Sequence, residues 1–273
     1  DGINDLVTVN SADTAPVISV SLGTGAGVYA SPITTELGTI SGLAPAGFLA
    51  DFTGDGVLDY VSVAQNASDG STLDINLFTY SGGVFSQVAS SSISLSVFGN
   101  YSVYAITSIR LGAIGTDLAV QIENSFGFDS SGGSHSIDGV AVCTGNGEGT
   151  FSSPTRVTAF TGTLAGSVTL EGINYLVSLN KGARTFGFWY YNAAKTAWSN
   201  AGGFSYSSEV GNIAIVSTAA SGMRLWFSGN MNGSTHIGEF SLALSVGKVV
   251  LGSSQVYTIE RTYTTQTVLF GGD

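Results

Sequence analysis

Apolar and polar residues alternate along short stretches of this chain, as in Leu6-Val7-Thr8-Val9, Val17-Ile18-Ser19-Val20, Tyr60-Val61-Ser62-Val63 and Ile75-Asn76-Leu77-Phe78. A period of two is the signature of a strand that buries one face. Between these stretches stand Gly, Ser, Asn and Asp, the residues that reverse a chain tightly. Nowhere do apolar residues recur at the three-and-four spacing that gives a helix one apolar side. The pattern therefore predicts an all-β chain of many short strands joined by turns.

The pattern also repeats. Gly2-Ile3-Asn4-Asp5-Leu6-Val7-Thr8-Val9-Asn10 returns as Gly172-Ile173-Asn174-Tyr175-Leu176-Val177-Ser178-Leu179-Asn180, and less closely as Gly56-Val57-Leu58-Asp59-Tyr60-Val61-Ser62-Val63. A second element, Gly23-Thr24-Gly25-Ala26-Gly27-Val28-Tyr29-Ala30-Ser31-Pro32, is echoed by Gly145-Asn146-Gly147-Glu148-Gly149-Thr150-Phe151-Ser152-Ser153-Pro154. The aromatic near its end recurs as Tyr29, Phe85, Phe151 and Trp198, with a degenerate copy near Val249, at a spacing of roughly 55 residues. Each repeat offers four strand candidates, in the second repeat 48–51, 60–64, 73–80 and 84–90.

Four-stranded units repeated in tandem predict a β-propeller of about five blades, a single domain spanning 1–273. Four blades fall at about 41–98, 99–160, 161–206 and 207–261. The remaining one combines 264–273 with 1–40. That composite blade begins at the turn before its second strand, so its innermost strand is expected from 265–270. Such a strand would close the ring and remove an open sheet edge.

Composition narrows the function. Of 273 residues 43% are hydrophobic and only 10% charged, and 38 are glycine without a collagen period, which suits turns between packed strands. Eight Lys and Arg against nineteen Asp and Glu give a net charge of −11, which repels a phosphate backbone and argues against a nucleic-acid partner. No apolar run is long enough to cross a bilayer as a helix. The lone Cys143 excludes an internal disulfide framework and a cysteine-based zinc cluster, and its place in Val140-Ala141-Val142-Cys143 reads as core.

The strongest chemical signal is Asp51-Phe52-Thr53-Gly54-Asp55-Gly56-Val57-Leu58-Asp59, set between two strand candidates. Oxygen donors at alternate positions can fold around one hard cation: the side chains of Asp51, Thr53 and Asp55, the carbonyl of Val57, and Asp59 to close the shell. Gly56 permits the reversal. The competing reading is a solvated acidic turn, since Asp-Gly is also a turn dipeptide. A weaker second site is expected from Asp1, Asp5 and Asp273, with the two ends of the chain each supplying part of the loop. The corresponding loops that retain only Glu171 or Asp117 are expected to bind no metal.

These residues resemble the FG-GAP or VCBS repeat of integrin-α-like propellers, in which an Asp-x-Asp-x-Asp-Gly-x-x-Asp loop lies between the first two strands of a blade. The segments ending at Pro32 and Pro154 are similar to the stretch that follows in those repeats. The resemblance implies a Ca2+-stabilised propeller that binds protein or glycan ligands through loops on one face.

Catalytic readings are disfavoured. His135 and His236 lack metal-site spacing, and the predicted inner strands carry no acids with which to build a glycosidase pair. The Gly-x-Gly-x-Gly segments precede strands, which leaves no helix terminus to cradle a phosphate. The aromatic run Phe186-Gly187-Phe188-Trp189-Tyr190-Tyr191 reads first as packing between blades and second as a sugar-stacking surface. Asn66, Asn100 and Asn232 fit the glycosylation sequon, which so Asn-, Ser- and Thr-rich a chain supplies by chance.

The expectation is an extracellular or cell-surface adhesion or ligand-recognition scaffold, not an enzyme. Two alternatives stand beside it: a subunit of an extracellular filament or sheath assembled head to tail, and a glycan-binding lectin.

Overall fold

The computed structural model of the 273-residue chain describes residues 5–10, 17–37, 46–66, 72–94, 102–109, 111, 116–123, 137–157, 160–180, 183–206, 209–218, 222–231 and 234–259. Every regular element among them is a strand. Two compact units are present, Asp1–Val157 and Thr158–Asp273.

In the first unit β1 (Leu6–Asn10), β2 (Val17–Ser21) and β5 (Ile33–Glu36) form a three-stranded antiparallel sheet, and β3 (Gly23–Gly25) pairs with β4 (Val28–Tyr29) in a small hairpin. Two four-stranded sheets follow. One runs β6 (Ala46–Ala50), β7 (Asp59–Gln65), β8 (Thr72–Ser81) and β9 (Val84–Ser94). The other runs β10 (Ser102–Ile109), β11 (Asp117–Glu123), β12 (Ile137–Cys143) and β13 (Thr155–Val157).

The second unit contains two further sheets, each with neighbours in chain order. The first joins β14 (Thr163–Leu170), β15 (Ile173–Asn180), β16 (Thr185–Asn192) and β17 (Ala197–Ser205). The second joins β18 (Glu209–Thr218), β19 (Gly222–Met231), β20 (Ser234–Ser245) and β21 (Lys248–Ile259). All four large sheets are antiparallel meanders, as the tandem repeat of four strand candidates predicts. The three-stranded sheet lacks a strand on the outer edge of β1 among the described residues, and 265–270 lies outside them.

Alternation decides which side chains are buried. In β8, Leu73, Ile75 and Leu77 are buried, whereas Thr72, Asp74 and Asn76 are only half so. Strand β7 is buried on both faces from Asp59 to Ala64, because it lies between β6 and β8 with other apolar elements packed on either side. Within the first unit Val61, Val63, Leu73, Ile75 and Leu77 share a core with Leu118, Val120, Ala141 and Cys143 of the next sheet. A second cluster joins Ile18, Val20 and Leu37 to Tyr60, Phe78 and Phe85. Successive sheets of this unit thus pack through their apolar side chains.

The second unit is built likewise. Val177, Phe186 and Phe188 pack with Phe240, Leu242 and Val249. Phe186 stands edge-on to Phe240 at 6.0 Å between ring centroids, a favourable arrangement of aromatic quadrupoles.

A carboxylate-clamped loop as the candidate site

The loop of residues 51–58 joins β6 to β7, and its shape is set by two carboxylates. Asp51 Oδ1 accepts the amides of Gly54 at 2.6 Å and Asp55 at 3.1 Å, and Asp51 Oδ2 accepts that of Gly56 at 3.1 Å. Asp55 Oδ1 accepts the amide of Val57 at 2.8 Å. A charged acceptor that gathers successive N–H groups replaces the ladder bonds a wide turn cannot make.

Asp59, the first residue of β7, is fully buried. Its Oδ2 accepts from the Phe52 amide at 2.9 Å, the Thr53 amide at 2.9 Å and the Thr53 hydroxyl at 3.0 Å. Its Oδ1 is buried without a hydrogen-bond partner. Burial raises the Asp59 carboxyl above its ordinary range, against the pull of the Thr53 and Phe52 hydrogen bonds and with help from the Asp55 charge.

Equivalent acids in the neighbouring sheets do similar work. Asp117, fully buried at the start of β11, accepts the Leu111 amide on Oδ2 at 2.7 Å and the Gly145 amide on Oδ1 at 2.9 Å. Asp5, exposed before β1, accepts the Gly23 amide on Oδ1 at 2.9 Å. Gly23 and Gly145 open the two Gly-x-Gly-x-Gly segments. The aspartate therefore ties the foot of its strand to the loop between the third and fourth strands of the same repeat. In the β6–β9 sheet that connection shrinks to the tight Gly82-Gly83 turn. That turn supplies no amide to Asp59, whose Oδ1 is left unsatisfied.

The loop is also a joint between sheets. The Thr116 hydroxyl donates a short hydrogen bond to the carbonyl of Asp51. Phe52 meets Phe151 edge-on, with ring centroids 6.0 Å apart and planes at 78°. Between Gly145 and Phe151 the chain lies so close to the β6–β9 sheet that a Cβ on Gly149 would stand 2.5 Å from Leu77 Cδ2 and 2.8 Å from Ala89 Cβ. Gly149 also has φ +84°, so both space and backbone require glycine there.

Oxygen donors of this kind suit a hard cation such as Ca2+, and an unsatisfied buried carboxylate oxygen is a place for positive charge. Asp51, Thr53, Asp55 and Asp59 share the loop with the Val57 carbonyl, so the donor types fit. Among the described residues no three His, Cys, Asp or Glu side chains form a metal-binding group. Backbone carbonyl, hydroxyl and water oxygens would therefore complete any shell around a cation there.

The other candidates divide by location. Asp1, Asp273, Asn100, Asn232 and His135 lie outside the described residues. Asn66 is half-buried, and its Nδ2, the atom a glycan would occupy, donates to Asp74 Oδ2 at 2.9 Å. In the second unit β14 and β15 are joined by the tight turn Glu171-Gly172, with Glu171 at φ +48°. A wide loop is absent there, and Tyr175 is buried in the core. Cys143 is buried, and that burial, with the Asp117 charge, pushes its thiol up to about 12, which suits a core residue. Of the aromatic run, Phe186, Phe188 and Trp189 are buried, whereas Tyr191 is exposed and packs edge-on against Trp198 at 5.9 Å.

Sequence reasoning did not find the amide-clamping role of Asp5 and Asp117 or the Thr116 contact. The recurrence of Gly-x-Gly-x-Gly-x-aromatic beside a strand-opening acid is the signal that marks the joint.

No protein-family model matches the chain, and no curated protein matches it. Among solved structures it is similar to a variant of the Aleuria aurantia lectin AAL in complex with Fucα1-6GlcNAc. That likeness has a TM-score of 0.46 and 12% identity, and covers 94% of this chain and 79% of that one. The fold described above rests on the strand pairing of this chain itself.

Proposed function

We propose that this chain is a β-propeller of the FG-GAP/VCBS kind that serves outside the cell as a non-catalytic ligand-recognition scaffold stiffened by Ca2+. In this reading the ring has about five blades, and 265–270 supplies the strand missing beside β1. Asp51, Asp55 and Asp59, which do not form one metal-binding group as they stand, would have to close with the Thr53 hydroxyl and the Val57 carbonyl around the cation. Asp5, with Asp1 and Asp273, holds a weaker one. The ion supplies positive charge and no reaction step: it neutralises clustered carboxylates and rigidifies the turn.

The observation that carries the proposal is the buried, unpartnered Oδ1 of Asp59, at the foot of β7 beside a loop that contacts the next sheet. Such a place suits an ion that fixes a frame, because the other oxygen of the carboxylate is already held by the Phe52 and Thr53 amides and the Thr53 hydroxyl.

A glycan is the ligand class favoured by a further observation. Tyr29 and Tyr191 are 45% and 37% exposed, and exposed aromatic rings offer flat apolar faces to sugars. The test is a glycan array, Fucα1-6GlcNAc included, probed with the intact chain in Ca2+ and in chelator, alongside its thermal unfolding in both. The reading expects binding that weakens in chelator and in Tyr191→Ala, and a lower Tm without Ca2+. Silence across the array removes the glycan class. An unchanged Tm removes the cation.

A further inference from the structure

Two segments of the first unit share one construction at their ends. Asp5 accepts the Gly23 amide as Asp117 accepts that of Gly145. Gly23 pairs with Tyr29 as Gly145 pairs with Phe151. Just outside those pairs Ala30 N–H meets Leu22 O at 2.8 Å, and Ser152 N–H meets Thr144 O at 2.9 Å. Their surroundings differ. Gly149 is pressed against Leu77 and Ala89, and Phe151 meets Phe52, so 145–151 is seated on the β6–β9 sheet. At the matching place in 23–29 a Cβ on Gly27 would meet nothing within 4 Å, and Tyr29 is exposed.

The outer residues differ as well. On the seated segment Thr144, Glu148 and Thr150 are exposed, and all are polar. The matching positions of the first hairpin hold Leu22, Ala26 and Val28, all exposed, Leu22 by 39% and Val28 by 59%. Apolar side chains held out on an ordered hairpin gain stability when a second surface removes them from water. In a ring of the kind proposed above, the seat offered to this hairpin would be the β18–β21 sheet. Leu77 stands four residues before Ser81, which closes the β8–β9 hairpin with Val84. The residue four before Ser245, which closes β20–β21 with Lys248, is Ser241, with Gly252 across from it. An apolar seat of the β6–β9 kind is missing there.

We propose that the Gly23–Tyr29 hairpin is a self-association surface: two copies of this chain pair through it about a two-fold axis, Leu22 and Val28 of each covering those of the other. Charge selects a second copy as the occupant. Each chain carries −11 and repels its like, yet residues 14–35 hold no charged side chain, so two copies meet there without opposing like charges. An uncharged apolar hairpin is complementary to itself, which is what a two-fold contact requires. The inference goes beyond the reading given above and needs neither cation nor glycan.

Analytical ultracentrifugation of the full chain over roughly 1–500 μM tests it. A monomer–dimer equilibrium is expected, tightened by added salt, which screens the net charges. Leu22→Thr combined with Val28→Thr installs the residues that stand at 144 and 150, so the hairpin keeps its form, and the dimer weakens by at least about tenfold. Ala26→Glu sets like charges across the axis and weakens it likewise. A parent chain that stays monomeric to the top of the range, as it would if the hairpin met a different protein or its own chain, overturns the proposal. So does a dimer whose dissociation constant neither variant changes.

Discussion

Replacing Asp117 with alanine is the sharpest single perturbation of the clamped turns. The carboxylate is fully buried and accepts two backbone amides, Leu111 at 2.7 Å and Gly145 at 2.9 Å. Alanine offers neither an acceptor nor room for bulk water. Each buried donor left without a partner costs about 1–3 kcal/mol, and the half-buried Leu111 belongs at the lower end, which gives about 3 kcal/mol for the pair. Against a total stability of roughly 5–15 kcal/mol this is a large fraction. Asp117→Asn keeps one acceptor and turns an N–H toward the other amide, so about half that loss is expected. Urea unfolding followed by far-UV circular dichroism measures it, with the exposed Asp5→Ala as control at under about 1 kcal/mol. Should Asp117→Ala unfold within about 0.5 kcal/mol of the parent, or Asp5→Ala cost as much as Asp117→Ala, the clamp is not what holds these turns.

Gly149→Ala puts a methyl group against Leu77 and Ala89 at a left-handed backbone position. A loss of at least about 2 kcal/mol in the same unfolding assay is expected. At the tip of the β20–β21 hairpin Val246 is fully exposed at φ +51°. A β-branched residue is strained there and nothing packs on it, so Val246→Asn is expected to stabilise by about 0.5–1 kcal/mol, raising the urea midpoint without changing the slope. Alkaline pH tests the core. Burial pushes Cys143 from 9.0 to about 12 and Tyr60 from 10.0 to about 12. Between those values the unfolded chain releases protons that the folded chain retains. Stability is therefore full below pH 9 and declines as pH rises toward 12. The Cys143 thiol should resist a disulfide reagent at pH 8 until the chain is unfolded, and rapid native labelling would contradict its burial.

Strand positions were legible because alternation and glycine punctuation act locally. The predicted 73–80 and 84–90 correspond to β8 and β9, and the aromatic run that packing was expected to claim has Phe186, Phe188 and Trp189 inside the core. What the sequence conceals are contacts whose partners carry no side-chain signature. Asp59 and Asp117 look alike as letters, yet one has both oxygens filled by amides and the other has one left open. The difference lies in the lengths of the connections between the third and fourth strands, which decide whether a backbone N–H arrives. A sequon is similarly a triplet read locally, whereas the Asn66 bond to Asp74 crosses from the end of β7 to β8.

The proposed hard cation at loop 51–59 is tested most directly by isothermal calorimetry of Ca2+ into the metal-stripped chain. Low-affinity oxygen-donor Ca2+ sites bind with Kd of about 10⁻⁴–10⁻³ M. The account predicts saturable heat in or below that range, lost in Asp59→Asn and Asp55→Ala. A flat titration up to several times the upper limit, in a chain shown to be folded, would contradict it.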